Sequence, residues 1–147
     1  MCARWPGKPR PQTQSRGCEV KLLLDTCTFL WAVRGDARLG ATAAALFADP
    51  AHEVFLSAVS AWEIAVKHQL GKLPLADAPA LYVPRERSRH GIEPLPLDEA
   101  ATLMLDKLPA VHTDPFDRLL VCQAIHHGMT LLTPDPAIQR YPVPVAW

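Results

Sequence analysis

Cysteine pairs at metal-binding spacing are missing from this 147-residue chain: Cys2, Cys18, Cys27 and Cys122 form no C-x-x-C pair, and no histidine follows at a spacing that suggests zinc. That absence argues against a zinc module, and a reduced, cytosolic chain is the simplest reading. An excess of one charge is missing too, since 15 Lys and Arg face 15 Asp and Glu. The balance is uneven, because Arg4, Lys8, Arg10 and Arg16 against Glu19 make residues 1–19 about +3 and leave about −3 for residues 20–147. A whole-chain electrostatic pull on a polyanion is therefore not expected. Long apolar runs are absent: nothing approaches the roughly eighteen residues a membrane helix needs, and "MCARWPGKPRPQTQSRGCE" lacks the apolar centre of a signal peptide. A soluble, cytoplasmic protein with no membrane partner is the expectation.

About half of the residues are apolar, enough to bury one ordinary core and too few for a second domain of useful size. Residues 1–19, rich in Pro, Arg, Gln and Ser and without hydrophobic period, are expected to be a disordered extension. Translation from codon 20 would give a tidy domain over 20–147, so the extension is suspected to lie upstream of the native start. Peptides from residues 2–16 in the native protein would reject that suspicion.

From Val20 onward, short apolar runs alternate with longer helical patterns. "VKLLLD" (20–25) reads as a buried strand, followed by helices through "TFLWAV" and "ATAAALFAD". "EVFLSAV" (53–59) is the next strand, with a helix running to Gly71 as its stop. A helix over roughly 76–89, a short strand near "IEPLPL", helices near 98–107 and 115–127, the strand "MTLLT" (129–133) and an edge strand in "VPVAW" complete the order. Strands that are apolar throughout and separated by helices indicate an α/β domain with a mainly parallel sheet of four or five strands, covered on both faces in three layers. Ligands of such sheets gather beyond the carboxyl ends of the strands.

Several acids are directed to that edge. Asp25 ends the first strand and Asp135 follows the fourth by two residues, although either could simply begin a helix or turn. Glu63 falls inside an apolar stripe read as Val59, Trp62, Val66 and Leu70, where an unpaired carboxylate costs several kcal/mol. "SAWE" (60–63) also fits a capping box, in which Glu63 reaches back to the Ser60 N–H, and both readings stay open. In "HTDPFDRLL" (112–120), Asp114 precedes Pro115 in the usual capping position. Asp117 projects from the inner face formed by Leu120, Val121, Ala124 and Ile125, and the few tenths of a kcal/mol it gains from the helix dipole do not offset burial of a charge. Asp25, Glu63, Asp117 and Asp135 are thus expected to crowd one sheet end, with repulsion that a divalent cation would relieve. Oxygen-only ligands select Mg²⁺ or Mn²⁺, and such ions support hydrolysis of phosphodiesters.

With these acids in place, the chain resembles the PIN-domain family and, within it, the VapC-type toxins of bacterial toxin–antitoxin pairs. "LLLDTCTFLWAV", "LSAVSAWEIAVKHQLGKLPL", "HTDPFDRLLVCQA", "MTLLTPDPAIQRYPV" and the terminal "VAW" are similar to family blocks in family order, so the likeness covers residues 20–147. The resemblance implies a magnesium-dependent endoribonuclease whose Asp25, Glu63, Asp117 and Asp135 bind Mg²⁺ or Mn²⁺, with Asp114 a nearby auxiliary and Thr26 and Thr133 as supporting hydroxyls. It further implies an RNA substrate, restraint by a cognate VapB-type antitoxin, and a homodimer. Two departures stand out: Cys27 replaces a common His, and Pro134 replaces the usual small or basic residue, stiffening the loop before Asp135.

An acidic catalytic end needs cations at its rim to hold RNA. Arg34, Arg38, Lys67, Lys72, Arg118 and, on one face of "RERSRH", Arg85 and Arg89 are the candidates, with an ordinary solvated basic face as the alternative for each. The six histidines show no arrangement for catalysis or metal binding, and His126 and His127 read as favourable charges at a helix end. Phe29, Trp31, Leu46 and Phe47 on the first two helices are core candidates, some of which could form a groove for a partner helix. A haloacid-dehalogenase-like phosphatase would need an acid where Cys27 stands, and a response-regulator receiver would need a Lys in "PVPVAW". A PIN-fold protein-binding module without nuclease activity is the remaining alternative.

Overall fold

The computed structural model describes residues 19–111 and 114–147. The expectation of disorder for the amino-terminal extension falls, for residues 1–18, outside the described residues. Five strands, β1 (Lys21–Leu24), β2 (Glu53–Ser57), β3 (Ile92–Leu95), β4 (Thr130–Leu132) and β5 (Val145–Ala146), form one parallel sheet in the order β3-β2-β1-β4-β5. Among the described residues, six α-helices connect or follow them: α1 (Thr26–Arg34), α2 (Ala41–Ala48), α3 (Ala58–Gln69), α4 (Pro79–Arg89), α5 (Glu99–Thr102) and α6 (Pro115–His127).

The period of two along each strand builds the layers. Leu22 and Leu24 face one side with Val54, Leu56, Ile92 and Leu132, where α1, α2 and α4 supply Phe29, Ala43, Phe47, Tyr82 and Val83. Leu23 and Leu131 face the other side, covered by Leu120, Val121 and Ala124 of α6 together with Met129, Ile138 and Tyr141. β1 is the centre: Leu24 lies in register with Leu56 on one side and Leu132 on the other. Each of its three leucines is fully buried, worth about 1.5–3 kcal/mol apiece. Pro94 is accommodated because β3 is an edge strand, where a missing ladder donor does little harm.

Several expected elements shift. α4 starts at Pro79 instead of 76, because proline suits the first helical position and holds Ala78 extended. The helix expected over 98–107 is one α turn followed by a 3₁₀ segment, Leu103–Lys107, ended by Leu108, which Pro109 keeps extended. The inner face of α3 is Val59, Ser60, Glu63 and Ile64, whereas Trp62 and Leu70 are 64% and 61% exposed, so the stripe read from sequence was misplaced although Glu63 is buried. Phe29 and Phe47 are core residues; Trp31 packs against Trp147 and beneath the Arg38 guanidinium and is partly buried, so the aromatics of α1 and α2 are largely spent on packing. Among the described residues, no helix is long and apolar enough to cross a membrane.

Candidate active site

Chain progression runs outward from β1 to β3 in one direction, then returns to β4 on the other side of β1. A reversal of this kind opens a crevice at the carboxyl ends of the two strands it separates, here β1 and β4. A cleft of about 370 Å³ lies there, lined by Asp25, Thr26, Cys27, Leu30, Glu63, Lys67, Lys72, Leu73, Asp114, Asp117, Pro134 and Asp135. All five acids singled out in the sequence thus meet on one surface, supplied by the ends of β1 and β4, the second turn of α3 and the start of α6.

Each acid is held by local chemistry. Asp25 continues the β1 ladder, its N–H donating to the Leu132 carbonyl at 3.3 Å, while its Oδ1 caps α1 by accepting the Thr28 N–H at 2.8 Å and faces the Cys27 thiol at 3.3 Å. Desolvation, then the neighbouring Asp25 charge, push the Cys27 thiol up to about 12. Glu63, 7% exposed, accepts the Thr26 hydroxyl at 2.6 Å on one oxygen and the Lys67 ammonium at 2.6 Å on the other. The capping box does not form: Ser57 caps α3 through the Val59 N–H, and buried Ser60 Oγ has no partner among the described residues. Asp114 caps α6, accepting the Phe116 N–H at 2.9 Å, with Pro115 in the first helical position. Asp135 accepts the Ala137 N–H at 2.9 Å, and its own N–H donates to the buried Thr133 hydroxyl at 3.1 Å.

Lys67 enters the cleft as an internal counter-ion, held protonated by its bond to Glu63 and then by the charges of Asp114 and Asp117. Repulsion among the acids is therefore relieved in part by the protein itself. The carboxylates are also looser than a closed cage. Among the described residues, the one trio of metal-ligating atoms within 4.8 Å of one another is Asp98, His126 and His127, outside the cleft. The expectation that the histidines show no such arrangement is corrected: Asp98 comes from 29 positions upstream of His127, a proximity only the fold creates.

Of the remaining cations, Lys72 lines the cleft and Arg118 is partly buried, with Nε unpaired among the described residues. Arg34 lies in the last turn of α1. Arg38 makes two bonds to Asp36, at 3.1 and 2.7 Å. Arg85 bonds Asp77 at 2.6 Å and shares Glu86 with Arg89, so these two do not line the cleft.

The donor set suits a hard cation: carboxylate and hydroxyl oxygens, no thiolate in charged form, and space for water between the acids. A PIN domain model matches residues 22–144, and the chain belongs to the PIN domain family. Among curated proteins it is 47% identical over 58 residues to Ribonuclease VapC16 of Mycobacterium tuberculosis (strain ATCC 25618 / H37Rv). That match covers 40% of this chain and 41% of the relative, so the chain spans about two fifths of the length of the curated relative it matches. Among solved structures, VapBC2 from Rickettsia felis, bound to a DNA fragment from their promoter, superposes with a TM-score of 0.63 at 15% identity, over 86% of this chain and 97% of that one. FitAcB from Neisseria gonorrhoeae gives 0.52 at 21% identity, over 84% and 95%. At these identities the likeness shows the fold.

Proposed function

We propose that the chain is a divalent-metal-dependent endoribonuclease, the toxin of a toxin–antitoxin pair. The observation that carries this reading is the gathering of Asp25, Glu63, Asp114, Asp117 and Asp135 around one cleft at the reversal point of the sheet. The partial match to Ribonuclease VapC16 and the fold shared with VapBC2 support the substrate class and the antitoxin partner. Asp25, Glu63, Asp117 and Asp135 would hold Mg²⁺ or Mn²⁺, with Asp114 at the margin. When bound, such an ion supplies activation of water and neutralisation of charge developing at a phosphodiester.

The chain's own groups do the positioning. Thr26 fixes one oxygen of Glu63, and Thr133 fixes the backbone that carries Asp135 across the stiff Pro134. Lys67 and Lys72 draw the RNA backbone into an otherwise negative cleft, while Arg34, Arg38, Arg118, Arg85 and Arg89 serve as outlying phosphate contacts. The toxin acts as a homodimer in the cytoplasm, restrained by a VapB-type antitoxin. The test is cleavage of cellular RNA by the purified chain, expected to require Mg²⁺ or Mn²⁺ and to stop with EDTA. A second reading, a PIN-fold binding module, draws on the Lys67–Glu63 pair, which neutralises part of the cleft without metal. Absence of any EDTA-sensitive cleavage would replace the nuclease reading with that one.

A further inference from the structure

α6 carries ionisable groups at both ends. Asp114 and Asp117 open it at the carboxyl edge of the sheet, and His126 and His127 close it before the left-handed Gly128. His126 lies nine positions after Asp117, on the order of 14 Å of helical rise, so the two ends are separate environments. At the far end the side chains converge on Asp98, the residue that caps α5. His127 Nε2 lies 3.1 Å from Asp98 Oδ1 and His126 Nε2 lies 3.4 Å from Oδ2, with the two rings edge to face at 4.8 Å between centroids.

We propose that Asp98, His126 and His127 form a second metal site, selective for a borderline divalent ion of the zinc type, that clamps the end of α6 to the start of α5. Three observations carry it. First, tetrahedral zinc with bonds of roughly 2.0–2.2 Å separates its ligand atoms by about 3.4 Å, and the two histidine–carboxylate distances, 3.1 and 3.4 Å, already approach that edge. Second, two rings present the same atom, Nε2, to the two oxygens of one carboxylate, so three potential ligand atoms from two elements lie within 4.8 Å of one another. Third, the side chains are about one third exposed, which leaves an ion free to enter and its fourth position open to water. The negative end of the α6 dipole adds attraction for a cation. Two imidazoles and one carboxylate favour zinc over magnesium, the reverse of the oxygen-only cleft at the other end of the helix.

The experiment titrates the metal-free full chain with Zn²⁺ by calorimetry and with Co²⁺ by visible absorption, in excess Mg²⁺ so that the carboxylate cleft is satisfied. One Zn²⁺ per chain is expected, with a four-coordinate Co²⁺ spectrum lacking a thiolate charge-transfer band. His126→Gln/His127→Gln should weaken binding at least 100-fold. Asp98→Ser, which retains a capping hydroxyl for α5, should weaken it roughly 10-fold or more. Zinc should raise the melting temperature of the wild type and leave that of the double variant unchanged. RNA cleavage by the double variant in Mg²⁺ should match the wild type, which separates this site from the catalytic reading. The proposal is overturned if zinc binding survives the double substitution, if a thiolate band shows cysteine coordination, or if Asp25→Asn and Asp117→Asn abolish zinc binding instead. No zinc binding by a folded wild type overturns it equally and leaves the trio as an ion pair.

Discussion

Asp25 Oδ1 accepts the Thr28 N–H, so the residue that ends β1 also starts α1 while lining the cleft. Asparagine caps a helix about as well as aspartate, so Asp25→Asn should stay folded by circular dichroism and lose activity on the order of 100-fold or more, the usual scale for removing one electrostatic stabiliser. Asp117→Asn, in the first turn of α6, should behave alike. Lys67 pairs with a Glu63 oxygen that a bound metal would need. Its replacement by methionine should tighten Mg²⁺ binding, and because the ammonium is half exposed, about 2- to 5-fold is expected from a screened pair. Cys27, pushed up to about 12, stays a thiol at neutral pH. In EDTA, its alkylation at pH 8 should run roughly 100-fold or more slower than that of a free cysteine peptide, because the thiolate is the nucleophile. The sign for stability follows: a folded value above the ordinary cysteine range gives a contribution that is complete below that range and is lost as pH rises towards 12.

At the scale of the element, α6 begins with two aspartates three positions apart. Asp114 caps the helix, and both aspartates border the cleft, so capping and a place at the cleft coexist. They can be separated. Asp114→Ser keeps a capping oxygen and should hold stability within a few tenths of a kcal/mol, whereas Asp114→Ala should cost about 1 kcal/mol. A fall in cleavage for the serine variant, measured beside its urea unfolding curve, identifies Asp114 as a ligand; equal cleavage assigns it to capping alone. Much of α6 was legible beforehand, since Pro115, Gly128 and the buried row Leu120, Val121 and Ala124 define its ends and face. α3 was less so. Ser57 and Ser60 both suit a cap, and an alanine-rich helix with Trp62 and Leu70 on its solvent side misdirects any reading based on hydrophobic period alone.

For the molecule as a whole, the acids line one cleft from the ends of β1 and β4 and from α3 and α6, so an ion bound among them would tie together elements that otherwise meet through core contacts. A ligand that binds only the folded state stabilises it by mass action, about 1.4 kcal/mol at ten times its dissociation constant. Thermal unfolding of the wild type should therefore shift upward by several degrees with Mg²⁺, and the Asp25→Asn/Asp117→Asn double variant should show no shift. Mg²⁺-independent melting of the wild type would argue that the acids never share an ion. The zinc-type clamp between α5 and α6 should add to this shift, because its ligands are distant from the cleft and share none of its residues.

The sequence alone settled the alternation of buried strands and helices, the parallel sheet, and the identity of the acids at the strand and helix ends. These are local properties of period, capping and chain punctuation. The order β3-β2-β1-β4-β5, the insertion of Lys67 beside Glu63, and the meeting of Asp98 with His126 and His127 were decided only by the tertiary structure. The reason is physical: two charged groups far apart in the chain have no fixed separation until the core closes, and no pattern of residue types records the distance between them.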